Sequence, residues 1–158
     1  MNAKLTKMIL ASIFTITASA AYFPVTANAS GNGLVGAWDI MITFRDCNTG
    51  AAIRDRPGLI SFMFGGVMQE FGTGQQIPQN RTDAQGNWSH QTGQSYSAVS
   101  KAFRFNADGS VAGTAKLYRS IKLEDDGTLS ANVTSEIYDA NGSLISQGCA
   151  TETGTRIE

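Results

Sequence analysis

Val35-Gly36-Ala37-Trp38-Asp39-Ile40-Met41-Ile42-Thr43-Phe44 is the stretch whose reading decides the fold class. Trp38, Ile40, Ile42 and Phe44 recur at every second position. Successive side chains of a strand point to opposite faces, so this segment carries one apolar face at the strand period. It reads as a half-buried β-strand. Beyond residue 30 no segment keeps a 3.6-residue apolar period over three turns, and Gly, Val, Ile, Thr, Phe and Tyr are frequent.

Turn signals recur instead of helix signals. Asn106-Ala107-Asp108-Gly109, Glu124-Asp125-Asp126-Gly127 and Asp139-Ala140-Asn141-Gly142 read as tight reversals, with glycine supplying the positive φ they need. Their glycines stand 18 and 15 residues apart. That rhythm fits strands of about 10–12 residues joined by short hairpins. Eight strands are expected, at about 35–44, 59–64, 67–71, 87–91, 96–105, 110–123, 128–138 and 143–153, with Gly65-Gly66 turning the second into the third. Two connections are long: 45–58, with Arg54, Asp55, Arg56 and Pro57, and 72–86, rich in Gly, Gln and Asn. In an up-and-down meander both open at the same end and flank one mouth.

Residues 1–29 read as a secretory signal: Lys4 and Lys7, an apolar run from Met8 through Ala21, then Ala27-Asn28-Ala29 as a small-x-small cleavage site. The apolar run is shorter than the roughly 20 residues a spanning helix needs. Residues 30–158 are then a single domain with one core. Twelve basic residues less Lys4 and Lys7 leave ten against thirteen acidic ones, a net charge of about −3. No basic patch stands out in the sequence, which argues against nucleic acid as a partner. No second long apolar segment follows, so the mature protein is expected to have no membrane span.

The expected localisation, secreted or periplasmic, makes a disulfide the default reading of Cys47 and Cys149. One histidine and no Cys-x-x-Cys leave a zinc site without ligands, so neither metal nor cofactor is expected. An eight-stranded meander leaves its first and last strands as edges unless they pair. If the two cysteines are cross-strand neighbours, antiparallel partners sum to about 196, so Ile40 faces Arg156 and Trp38 is its diagonal neighbour. Alternation then places the disulfide outside the barrel and the Trp38–Arg156 pair inside, at the closed end. The expected fold is all-β: an eight-stranded antiparallel up-and-down closed barrel.

Gly36, Trp38 and Arg156 resemble the Gly-x-Trp and terminal-strand basic residue of the calycin superfamily: lipocalins, fatty-acid-binding proteins and avidins. The resemblance implies a lipocalin-like barrel in which Trp38 packs against Arg156. It covers the strand plan and these three residues. The chain departs from it in lacking the Thr-Asp-Tyr loop of typical lipocalins, a C-terminal helix and the binding tryptophans of biotin binders, since Trp38 and Trp88 are its only two.

Such a barrel either fills with side chains or holds one ligand. Trp88 and His90 share a strand face, Tyr96 follows across a short turn, and Arg104 shares the face of Tyr96. These four are the expected polar anchors near the mouth, with Phe62 and Met63 as apolar lining. The expected function is binding of a small, largely apolar ligand. One alternative is a cyclase or isomerase in the same cavity, with His90 as acid or base oriented by Glu70. The other is a protease-inhibitor-like module on a filled barrel, presenting the segment Ser30–Gly33 to its partner.

Overall fold

A computed structural model describes residues 33–72 and 80–158; the expected signal, residues 30–32 and the middle of the 72–86 connection lie outside the described residues. The strands are β1 (Gly36–Arg45), β2 (Ala52–Phe62), β3 (Val67–Gly72), β4 (Ala84–Thr92), β5 (Ser95–Phe105), β6 (Val111–Leu123), β7 (Leu129–Tyr138) and β8 (Leu144–Arg156). Each pairs antiparallel with the next, and β8 returns to β1, closing the barrel. The three Asx-Gly reversals form as expected. In each, the glycine N–H donates to the first turn residue's carbonyl (3.0, 2.9 and 3.1 Å), and Gly109, Gly127 and Gly142 have φ between 82° and 85°.

Closure follows the expected pairing of strands with a different register. Trp38 lies directly opposite Arg156, and Arg45 opposite Cys149, two residues away from the expected alignment. The cause is local. Cys47 stands past the end of β1, in a turn where Asp46 Oδ1 accepts from the N–H groups of Asn48 and Thr49 at 2.9 and 2.8 Å. From there it reaches back to β8 and bonds Cys149. A slip of two residues preserves the alternation of faces, so Trp38 and Arg156 remain inside. Cys149, three residues before the buried Glu152, belongs to the outward set.

The closed end is densely filled. Trp38, Ile60, Phe62, Met68, Ile121 and Leu129 are each 2% exposed or less. Leu34, just before β1, is buried with them and accepts a 2.9 Å hydrogen bond from Trp38 Nε1. The Arg156 guanidinium lies 4.5 Å over the Trp38 ring and donates to the carbonyls of Val35 and Gly33. It occupies the space that a side chain on residue 36 would fill, and Gly36 has φ +144°. Glycine at 36 is therefore required by both space and backbone.

Two expected boundaries are corrected. β2 begins at Ala52, so Arg54, Asp55, Arg56 and Pro57 belong to a strand and the 45–58 connection shrinks to a turn. Pro57 is tolerated because β3 pairs with β2 only from Gly58 onward, so this half of β2 has the ladder of β1 alone. β4 begins at Ala84, ahead of the expected Asn87.

Candidate functional site

The upper interior, at the end where β1 finishes and β2 begins, is hollow. A cavity of about 490 Å³ opens there. The inward positions around it include Ala115, Gly148 and Ala150, which are too small to fill the barrel. Ile42, Phe44, Phe105, Leu117, Val133 and Ile137 supply an apolar wall. Among the described residues, five arginines and two glutamates also line it: Arg54, Arg56, Arg81, Arg104, Arg119, Glu70 and Glu152.

At the base of this cup the charges form a closed network. Arg119, from the middle of β6, is 3% exposed. Its Nε donates to both oxygens of Glu152 at 3.2 and 3.0 Å, and its Nη1 to Ser100 Oγ at 2.9 Å. Its Nη2 donates to Glu70 Oε2 at 2.5 Å and to Glu152 Oε1 at 3.1 Å. Arg81 completes the set with a 2.6 Å bond to the other oxygen of Glu70. Among the described residues no buried side-chain nitrogen or oxygen lacks a partner. That completeness is required here, because an unpaired charge at this depth costs several kcal/mol.

The two carboxyls differ. Burial pushes both upward. At Glu70 the attraction of Arg119 and Arg81 together outweighs burial, and its pKa lies below the ordinary value. Glu152 has Arg119 alone and feels Glu70 as a like charge, so burial prevails and its pKa is raised. For Arg119 burial disfavours the charge, and the two carboxylates overcome it, so the guanidinium stays protonated.

No family model matches the chain, and no curated protein or solved structure matches it significantly.

Of the six expected ligand contacts, Arg104 lines the cavity. Trp88, His90 and Tyr96 do share an inward face, yet they stand at the closed end. Trp88 Nε1 donates to Met63 O at 3.0 Å, and its ring meets Phe62 and Tyr96 edge-on at 6.1 and 5.9 Å. His90 stacks at 5.1 Å on Tyr96, and its Nε2 is 2.7 Å from Gly93 O in the β4–β5 turn. Phe62 is buried in the core, and Met63 is 41% exposed in the turn after β2. Alternation fixes the face of a residue and says nothing of its height. Tyr96 and Arg104 are eight residues apart on β5, roughly 27 Å at the usual rise. Glu70 likewise pairs with arginines and leaves His90 alone.

Sequence reasoning places Arg54 and Arg56 at the mouth only as loop residues with no binding role, and it misses Arg81, Arg119 and Glu152. A signal existed for two of them. On β6 the inward set is Ala115, Leu117, Arg119, Ile121 and Leu123, so one arginine interrupts an apolar face. Glu152 sits among the inward Ala150 and Gly154 of β8. A long charged residue within a core-facing series needs a buried counter-charge.

The Cys47–Cys149 disulfide points to an oxidising environment. Among the described residues no helix is long and apolar enough to cross a membrane.

Proposed function

We propose that this protein is an exported, calycin-like barrel that holds a small, largely apolar molecule in the open half of its interior. The observation that carries this reading is the cavity. Its volume of about 490 Å³ falls within the roughly 300–1,000 Å³ of small-molecule sites. An apolar wall with a few convergent polar groups is the usual composition of such a site. The Trp38–Arg156 pair at the closed end supports the calycin resemblance. The leader-like residues 1–29 and the disulfide support secretion or a periplasmic location.

Neither alternative gains an observation of its own. The inhibitor reading needs a filled barrel, and half of this interior is open. The enzyme reading needs His90 and Glu70 to act together, and they stand in different parts of the barrel.

The test is titration of the mature protein with N-phenyl-1-naphthylamine, an uncharged dye that fluoresces in apolar sites, alongside native mass spectrometry of the purified protein. Saturable binding of about one dye per chain, or a co-purified small molecule displaced by it, is the expected result. No dye binding and a bare chain mass would overturn the reading.

A further inference from the structure

The residues just before β4 run beside the end of β5. Phe105 N–H donates to Asn80 O, and Thr82 N–H to Phe103 O, both at 2.9 Å. Thr82 Oγ1 also accepts from Phe103 N–H at 3.1 Å. This short antiparallel bridge sets Arg81 directly opposite Arg104. Like charges directly opposite one another destabilise a strand pair. Arg81 is compensated by Glu70. Among the described residues Arg104 has no acid partner, and neither has Arg54, whose guanidinium lies 4.7 Å over the Phe44 ring.

The charge balance of the cup points the same way. Both glutamates that line the cup are engaged by Arg119 and Arg81, and Arg54 and Arg104 line it outside that network. The whole chain carries a formal net charge of −1, so this concentration of positive charge is local. It is also held in a concave site, where low-dielectric walls focus the field. Arginine is suited to such a place, because its planar fork binds carboxylate, sulfonate or phosphate oxygens in pairs.

We propose that the ligand is an organic anion. Its head group, with two or more oxygens, is gripped between Arg54 and the facing Arg81–Arg104 pair. Its apolar body lies against Phe44, Phe105, Leu117 and Ile137. The inference rests on the open half of the barrel being a binding site. It adds the charge and orientation of what binds there. The like-charge pair is then a stability cost retained for function, relieved when the anion enters.

Two dyes with the same rings separate the inference from its premise. 1-Anilinonaphthalene-8-sulfonate carries a sulfonate, and N-phenyl-1-naphthylamine does not. The sulfonate is expected to bind at least about tenfold more tightly, the difference a charge-assisted contact contributes. Its advantage should shrink as salt rises, while the neutral dye is unaffected. Arg104→Gln and Arg54→Gln should each erode the advantage, and in the double variant the sulfonate should bind no more tightly than the neutral dye does to that same variant. Arg104→Lys should keep part of it. Equal affinity for both dyes would overturn the anion inference and leave the binding reading standing. So would a sulfonate advantage that survives in the double variant. Failure of both dyes to bind a chain of bare mass would overturn the two together. Arg104→Gln is expected to melt no lower than the parent; a large drop in its melting temperature would identify Arg104 as a structural residue and overturn its assigned role.

Discussion

The two halves of this barrel carry opposite kinds of residue at their inward positions. Toward the closed end stand Trp38, Phe62, Ile60, Met68, Ile121 and Leu129, all fully buried. Toward the open end stand Ala115, Gly148 and Ala150 among long arginines. The seam between β1 and β8 is fastened differently in each half. At the closed end a guanidinium lies over an indole and the backbone carbonyls before β1. At the open end, where packing is thin, a covalent bond joins Cys47 to Cys149. The Glu70–Arg119–Glu152 network separates the two regions. A barrel thus becomes half core and half container through side-chain volume, with β3 and β4 stopping near the boundary.

The largest expected effect breaks the seam at the open end. The disulfide closes a separation of 102 residues, worth about 4–5 kcal/mol in the chain-entropy model. Replacing both cysteines by serine should lower stability to urea by about that amount. Hydrogen exchange should accelerate most at Thr43–Arg45 and Cys149–Thr151, and least around Trp38. Uniform acceleration along β1 would mean that the two ends of the seam are not held separately.

Next in size is truncation in each half. Trp38→Ala removes a fully buried side chain and should cost about 3–5 kcal/mol. Leu117→Ala, beside an existing void, should cost nearer about 1–2 kcal/mol. Urea unfolding of both variants checks the contrast.

The network at the boundary predicts a smaller, pH-dependent effect. Glu70 has a folded pKa below the ordinary 4.5. Its contribution is present above that value and is lost as pH falls through the folded pKa. Glu152 has a raised folded pKa, so its ionisation removes stability as pH rises from the ordinary value through the folded one. Glu70→Gln should flatten the acid limb of a stability–pH curve. Glu152→Gln should remove a decline on the neutral side. Shifts of the same sign in both variants would contradict the assignment.

Smallest is Arg104→Gln in the absence of ligand. Relief of the Arg81–Arg104 opposition should raise stability by about 0.2–1 kcal/mol, read as a small upward shift in melting temperature.

The strand plan was legible because it depends on local signals. The alternation in 35–44, the three Asx-Gly reversals and the Gly36-Ala37-Trp38 opening each determine their own neighbourhood. Closure was legible from residues at the two ends of the domain, Trp38 with Arg156 and Cys47 with Cys149. The first half of β2 was not, because Arg54-Asp55-Arg56-Pro57 has no apolar face; at the mouth of a hollow barrel the inward positions are polar too. The site was half legible for a related reason. The shared face of Trp88, His90, Tyr96 and Arg104 could be read from parity, and their height could not, since height depends on how far each strand runs beyond its turn.

One half of the interior is packed and the other is open. Adding the same bulk to each half tests it most directly. Ala98 is 3% exposed in the closed-end core, and Ala150 lines the cavity. Thermal unfolding of Ala98→Phe and Ala150→Phe should differ, the first losing about 1–3 kcal/mol by overpacking and the second melting close to the parent. Equal losses in the two variants would mean that both halves are filled, and the container would not exist.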